Sequence, residues 1–295
     1  MFRYLQVKKQ PEKIVHDVGS ISFEQLANDG SVPITLRQLN SLPNNTKQRL
    51  YRSLIPATML TNLKIDPVTW RNPDGTNCVN LKAESGSSVV KISARLSCEN
   101  RGEFYCLEIA DNGFNGIDLD MLILNDPFSP RFNTDIDAKG NPTLLGTVRR
   151  NLEEEEKAMK AGLAPGQVRK SSGYLGLVLN QLETFLTALG HRAYFLEPLT
   201  YASAWVFERK GFTYVRGHKL MDDIQRGMQP DGVLHTLLDG STPFRREQHW
   251  HTVRGRAWAI QDGILEAIDQ RWNGLRMVKQ IGRHAGVETF PGATY

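Results

Sequence analysis

Cysteines are scarce in this sequence and long apolar runs are absent. The three cysteines, Cys78, Cys98 and Cys106, form no Cys-x-x-Cys pair and are too few for a disulfide framework, which excludes small scaffolds held together by disulfides. No stretch approaches the roughly 18 consecutive apolar residues of a membrane-spanning helix, and the start, MFRYLQVKKQPEK, has no apolar stretch of signal-peptide length. We therefore expect reduced thiols, no membrane insertion and a cytoplasmic location.

Charge of one sign is also not in large excess. The net charge is +4, and the 40% hydrophobic and 23% charged contents are ordinary for a globular protein of 295 residues. The basic residues are spread along the chain without an aromatic and basic stripe, so we expect no nucleic-acid partner. This distribution fits the binding of one polyanionic small molecule better.

Metal-ligand patterns are sparse as well. His249 and His251 stand two apart and would share one side of a strand, but no cysteine or third histidine supports them at a suitable spacing. We predict no metal site.

The segment from Lys170 to Arg216 carries the clearest order of elements. A turn with Gly173 and Gly176 leads into a run with helical spacing of apolar residues, and Gly190 ends it. A short strand from about Ala193 to Leu199 follows. A second helix from about Tyr201 to Lys210 then ends at Gly211-Phe212, before a strand at Thr213 to Arg216.

A glycine turn that opens a helix can bind an anion. The first amide groups of the helix have no internal partners, and the helix dipole favours negative charge there. Arg169 and Lys170 could pair with phosphates, and Ser171 and Ser172 could add hydroxyl donors. The alternative is that these serines only cap the helix.

This order of elements resembles the GNAT superfamily, the acyl-CoA-dependent N-acyltransferases. In that family a basic residue or Gln, two variable residues, Gly, a variable residue and Gly or Ala bind the CoA pyrophosphate at a helix start. Lys170-Ser171-Ser172-Gly173-Tyr174-Leu175 is similar up to its last position, and glycine follows one residue later at Gly176. The family also has a pattern in a later helix that ends in Gly-Phe, which corresponds to Gly211-Phe212 here. The preceding positions of that pattern are occupied in this chain by Thr200, Ser203, Phe207 and Glu208-Arg209.

The resemblance implies a fold and a co-substrate. The expected fold is mixed α+β, with a central, mostly antiparallel, twisted sheet flanked by helices and with additional helical segments at both ends of the chain. By this resemblance, acetyl-CoA or another acyl-CoA would bind to residues of the last strand before the insertion, of the glycine turn and of the later helix. These are Leu122, Leu124, Arg169, Lys170, Ser171, Ser172, Gly173, Tyr174, Gly176 and Phe207. In many relatives a tyrosine at the position of Phe207 is thought to protonate the leaving thiolate, which phenylalanine cannot do; Tyr201 is the candidate substitute.

Residues 78–124 alternate apolar and polar residues between tight turns, which predicts an antiparallel meander. Asp118 and Asp120 stand two apart and would point to the same side of its last strand. Asp120 is the candidate general base, with Glu108 on the preceding strand as the other candidate. The alternative is that these carboxylates mark a solvated strand end.

The remaining segments complete the expected organisation. We predict an N-terminal helical and irregular segment, 1–75, a GNAT-like domain, 76–240, with an insertion at 125–170, and a helical extension, 241–295. The insertion holds a helix with four glutamates and could act as a lid, with Arg149 and Arg150 reaching the phosphates. We expect the closing strand near Val233 to Leu238 and a helix over 253–280.

The sequence thus favours an acyl-CoA-dependent N-acyltransferase acting on a small-molecule or peptide amine. A non-catalytic protein that binds acyl-CoA or a partner on the same scaffold is the alternative, favoured by Phe207 and by the long extensions. Whether the chain forms a homodimer stays open.

Overall fold

The computed structural model describes residues 33–96, 102–144 and 149–295. Three short helices come first: α1 (Leu36–Asn40), α2 (Asn44–Tyr51) and α3 (Ala57–Asn62). Four strands follow: β1 (Val79–Lys82), β2 (Val89–Ala94), β3 (Tyr105–Asp111) and β4 (Ile117–Leu124). The rest of the chain adds α4 (Leu152–Lys160), α5 (Leu175–Ala188), β5 (Ala193–Leu196), α6 (Tyr201–Glu208), β6 (Thr213–Arg216), α7 (His218–Gly227), α8 (Val253–Gln261) and β7 (Arg276–Gln280).

The strands form one sheet in the order β1-β2-β3-β4-β5-β7-β6. Neighbouring strands run antiparallel, except β4 and β5, which run parallel and are joined through α5. A parallel pair needs such a crossover connection, whereas the hairpins of β1 to β4 need only tight turns. The mixed α+β class and the mostly antiparallel sheet are confirmed.

One face of the sheet carries the main core. Ile92, Leu107 and Ile109 are buried there at matching register positions of β2 and β3. The Tyr105 hydroxyl on β3 donates to the Leu54 carbonyl, 2.5 Å away, at the end of the second helical segment. The N-terminal helices are therefore packed against the same face as the buried side chains of the sheet.

The opposite face is polar and only partly covered. Lys91 on β2 and Glu108 on β3 stand opposite each other and form an ion pair of 3.4 Å. Further along the sheet, Arg276 on β7 reaches Asp118 on β4. Alternation along the strands places these charged side chains away from the core.

The strand that completes the sheet comes from the C-terminal segment. The expectation of a closing strand at Val233 to Leu238 is wrong, because that segment contains a 3₁₀ turn, and β7 lies between β5 and β6 instead. Leu234 and Leu238 are buried but Thr236 midway between them is exposed, which breaks the period of two that a strand would show.

The expected single helix over 253–280 is also wrong. It is divided into α8, a 3₁₀ turn and β7. Gly263 has φ 85° and Gly274 has φ 65°, a backbone conformation that ends a right-handed helix. The C-terminal extension is therefore part of the sheet as well as a helical segment.

A second, smaller core joins the insertion to the C-terminal extension. Ala158 and Leu163 of the insertion pack with Phe244 and Trp258 of the extension. The Trp258 indole donates to the Leu163 carbonyl at 2.8 Å, so the polar end of this buried ring is satisfied. The two segments that sequence analysis treated separately are packed on each other.

Candidate functional site

The candidate site begins where β4 has a bulge. Glu108 stands opposite Met121 and Ile109 stands opposite Leu119, which leaves Asp120 as an extra residue on β4. A β-bulge bends its strand and re-aims the side chain at that position. The bulge therefore separates Asp120 from the regular alternation of the strand.

The sheet opens at the same position. β4 pairs with β5 only through Ile117 to Leu119, opposite Tyr194 to Leu196. Because β5 ends at Leu196, β4 continues past its parallel neighbour. The edge of β4 therefore has no neighbouring strand among the described residues on this side from Asp120 until Leu124 meets Ser172, and we call this gap the cleft.

The backbone of Leu122 faces this cleft. The Asn125 amide donates to the carbonyl of Phe104, which directly precedes β3, at 2.9 Å, whereas the Leu124 carbonyl accepts from the Ser172 amide on the other side at 3.0 Å. Because peptide groups alternate in direction along a strand, those of Leu122 point to the same side as those of Leu124. Leu122 stands opposite Leu107 of β3, and no described strand pairs with it on the other side.

The carboxylates near the bulge differ in their partners. Asp118 accepts two hydrogen bonds from Arg276, at 2.7 and 2.9 Å, and one from Asn112 at 2.9 Å. Glu108 is paired with Lys91. Asp120 forms no ion pair within the described part of the chain. Although this residue is largely exposed, partial burial of its carboxylate raises its pKa above the usual 3.8, and the charges of Asp118 and Glu108 act in the same direction.

The insertion leaves the end of β4 and returns to it. Asn125 forms an isolated antiparallel bridge with Ser171, and the Asp126 amide donates to the Lys170 carbonyl at 2.7 Å. Lys170 and Ser171 consequently lie beside the last residues of β4, although about 45 residues separate them along the chain by their numbering. The predicted phosphate turn is in this way brought to the cleft.

The glycine turn has the backbone that its sequence predicts. Gly173 has φ 80°, and a Cβ atom there would meet no other atom within 4 Å, so the turn is open. Tyr174 is the N-cap of α5, and no side chain of the described residues caps that end. The first amide groups of this 14-residue helix are available to an anion.

A lysine that sequence analysis missed lies beside these amides. Lys210 Nζ is 3.7 Å from the point that a Cβ atom of residue 176 would occupy. Lys170 and Lys210 are both exposed, and neither is in a salt bridge with a described residue. The sequence does contain a signal for this lysine, because Lys210 directly precedes Gly211-Phe212. That position varies in the family pattern, so the pattern does not single it out.

The other basic candidates are engaged elsewhere. Arg169 donates to the Ser129 carbonyl. Arg149 lies 3.9 Å from Asp137, and Arg150 binds Glu155 and Asp262. Arg149 and Arg150 thus have partners in the insertion and in the extension, which does not favour their role as phosphate ligands.

The two aromatic candidates on α6 are engaged in packing contacts. Tyr201 is 1% exposed, and its hydroxyl lies 3.4 Å from the buried Arg256 on α8. Burial raises the pKa of Tyr201 above its usual 10, although Arg256 partly opposes this shift. Phe207 packs against Phe212, with 5.1 Å between ring centroids. Both side chains contribute to packing, and neither is placed to donate a proton in the cleft.

The two histidines considered for a metal site lie in a 3₁₀ turn (Glu247–His251) and not on a strand. His249 Nδ1 is 2.9 Å from the Phe244 carbonyl, so that side chain is engaged with the backbone. Within the described residues, no group of three or more His, Cys, Asp or Glu could hold a metal ion. The helices of the same part of the chain are also too short or too polar to cross a membrane.

Comparisons with protein-family models, with curated proteins and with solved structures found no match to this chain. The features of the structure that bear on function are the cleft, the glycine turn and the side chains around them.

Proposed function

We propose that the chain is an acyl-CoA-dependent N-acyltransferase of the GNAT type, with acetyl-CoA as the simplest donor. The observation that carries this proposal is the coincidence of three features in one cleft. β4 has a bulge at Asp120, it parts from its parallel neighbour there, and the uncapped start of α5 lies at the end of the same cleft.

Each feature suits one part of the donor. The pyrophosphate would lie against the first amides of α5, with Lys170 and Lys210 supplying positive charge. The amide-containing pantetheine arm would pair with the free peptide groups of Leu122, much as a peptide adds to a strand edge. The thioester would then lie near the bulge.

Asp120 is the proposed base. The amine nitrogen attacks the thioester carbonyl carbon, the C–N bond forms, the C–S bond breaks and CoA leaves as the thiolate. The proton lost by the nitrogen passes to Asp120, directly or through one water. Among the carboxylates around the bulge, Asp120 is the one free of an ion pair within the described residues, and its raised pKa makes it a better proton acceptor than an ordinary aspartate.

The alternative is an acyl-CoA-binding protein without turnover. It is favoured by Phe207 at the family's acid position and by the burial of Tyr201 away from the cleft. Both proposals require CoA to bind, and they differ only in whether acyl transfer follows.

Binding can be measured by titration calorimetry with CoA. Lys210→Gln should weaken CoA about tenfold, since one charged contact to phosphate is lost, and Lys219→Gln, an exposed lysine on α7, should not. Gly173→Val should abolish binding. Gly86→Val is its matched control, because Gly86 has φ 74° and equally open surroundings. If the unaltered protein does not bind CoA, both proposals are wrong.

Transfer can be measured as thiol release from acetyl-CoA with a panel of amines. Asp120→Asn should slow turnover about 100-fold or more while leaving CoA affinity unchanged, since a general base acts in the chemical step. Tight CoA binding without turnover of any amine would select the non-catalytic alternative.

A further inference from the structure

A cavity of about 180 Å³ lies behind the glycine turn, between α3 and the end of β4. Met59, Leu63 and Phe104 supply apolar walls, and the first and last of these are buried at 2% exposure. Phe128 also lines the cavity and is 76% exposed, so it stands at the opening. An apolar cavity of about 150 Å³ is known to hold benzene, so this volume suits one six-membered ring with a small substituent.

The wall towards the turn is polar. Ser172 and Asp126 both line the cavity. The Ser172 hydroxyl is buried and has no hydrogen-bond partner among the described residues, although the Ser172 backbone is fixed by the bond to Leu124. A buried hydroxyl without a partner is unfavourable, so a ligand that offers this hydroxyl a hydrogen bond would be stabilised.

A second hydroxyl stands nearby. Tyr174 lines the cavity, and its oxygen accepts a hydrogen bond of 2.7 Å from the Asn62 side chain on α3. The proton of Tyr174 therefore remains for another acceptor. The cavity thus combines an apolar floor with two hydroxyl donors and a carboxylate on one side.

We infer that this cavity binds a monocyclic aromatic ring that carries one hydroxyl group, a phenol. The ring would contact Leu63 and Phe104, and its oxygen would accept from the Ser172 or Tyr174 hydroxyl. The phenolic proton would be donated to Asp126. The cavity shares Ser172 and Tyr174 with the proposed donor site, and the two proposals are distinguished because phenol binding is measured with no CoA present.

The probes are phenol and toluene, which have nearly the same shape. Their binding can be followed by chemical-shift changes of the Met59 methyl group in titrations of the whole protein. Transfer from water favours toluene, so a purely apolar cavity would prefer it. We expect phenol to bind at least about threefold more tightly, because its hydroxyl finds partners at the polar wall.

Two variants test the location and the chemistry. Leu63→Trp should fill the cavity and abolish the phenol-induced shifts, whereas Leu199→Trp, at a site 55% exposed on the surface, should leave them unchanged. Ser172→Ala removes one of the two hydroxyl donors and adds no bulk, and it should reduce the preference for phenol over toluene, because Tyr174 and Asp126 remain. If toluene binds to the unaltered protein as tightly as phenol does, the inferred ligand class is wrong. No binding of either probe would overturn the site, because the cavity would then hold only water.

Discussion

Asp262 connects the insertion to the C-terminal extension through three side chains. It accepts hydrogen bonds from Arg150 at 3.0 Å, Arg245 at 2.9 Å and Thr242 at 2.9 Å. Its side chain is 10% exposed, and Arg150 also binds Glu155, whose side chain is 5% exposed. The perturbation that tests this network is Asp262→Asn, which keeps the shape of the side chain and removes its charge.

The loss should be large because the two arginines are mostly shielded from solvent, at 21% exposure for Arg150 and 25% for Arg245. Arg245 would keep its bond to the carbonyl of residue 262, and Arg150 would keep Glu155. Removing one partner of a buried ion pair costs about 3–5 kcal/mol. Since Asn still accepts one hydrogen bond, we expect about 3 kcal/mol, or a fall in Tm of about 6–12 °C if the chain unfolds as one unit.

The assay is urea denaturation combined with hydrogen exchange of peptides from α4 and α8. If the small core is shared, both helices should lose protection together in Asp262→Asn. Glu153→Gln is the control, because Glu153 is 80% exposed and pairs with the half-exposed Lys157, so its loss should cost less than about 1 kcal/mol. A change in Asp262→Asn no greater than in the control, or loss of protection in α4 alone, would refute the shared core.

Two further predictions concern the start of the described chain. Asp111 on β3 accepts from the amides of Leu36 at 2.8 Å and Arg37 at 2.9 Å, so Asp111→Asn should lower the free energy of unfolding by about 1 kcal/mol in urea denaturation, with the exposed Asp74→Asn as control. Burial lowers the pKa of His191 below its usual 6.5, although its contact with the Ile34 carbonyl and the charge of Asp111 oppose this. The unfolded chain therefore takes up a proton before the folded one as pH falls below about 7. The free energy of unfolding should then decline towards pH 5 by at most about 1.4 kcal/mol per pH unit for this histidine. His191→Gln should reduce that slope, and an unchanged slope would contradict the assignment.

Local patterns predicted most elements correctly, because their causes are local. The alternation in residues 78–124 and the helical spacing after Gly173 correspond to β1 to β4 and to α5. β6 begins and ends at the predicted residues, Thr213 and Arg216, directly after Gly211-Phe212. These features depend on near neighbours in the chain.

The errors and omissions have long-range causes. β7 lies between β5 and β6 because of partners that are distant in sequence, and five residues with two buried positions are a weak signal by themselves. The bulge at Asp120 depends on the register with β3, which no residue of β4 encodes alone. Lys210 approaches Gly176 only once α6 is folded beside the start of α5. Cys98 lies outside the described residues, so the expectation that its thiol is reduced stays a prediction.

The positions of Phe207 and Tyr201 bear on the pH dependence of the proposed acyl transfer. Phe207 packs against Phe212 and has no proton to donate, and Tyr201 is buried against Arg256. A thiolate is a fair leaving group, since free thiols have pKa values near 8.5, so transfer can proceed without protonation of the sulfur.

A general acid would give the rate a descending limb as it loses its proton, near pH 10 for a tyrosine. A general base such as Asp120 gives an ascending limb, at a pH above 3.8 because its pKa is raised. We therefore expect kcat with a saturating amine to rise through the Asp120 limb and to show no descending limb, including above about pH 10, where the raised pKa of Tyr201 would place one. The ascending limb should disappear in Asp120→Asn, and Tyr201→Phe should change the profile little. A descending limb that is lost in Tyr201→Phe would show that this tyrosine reaches the sulfur after all, and the base-only mechanism would then be wrong.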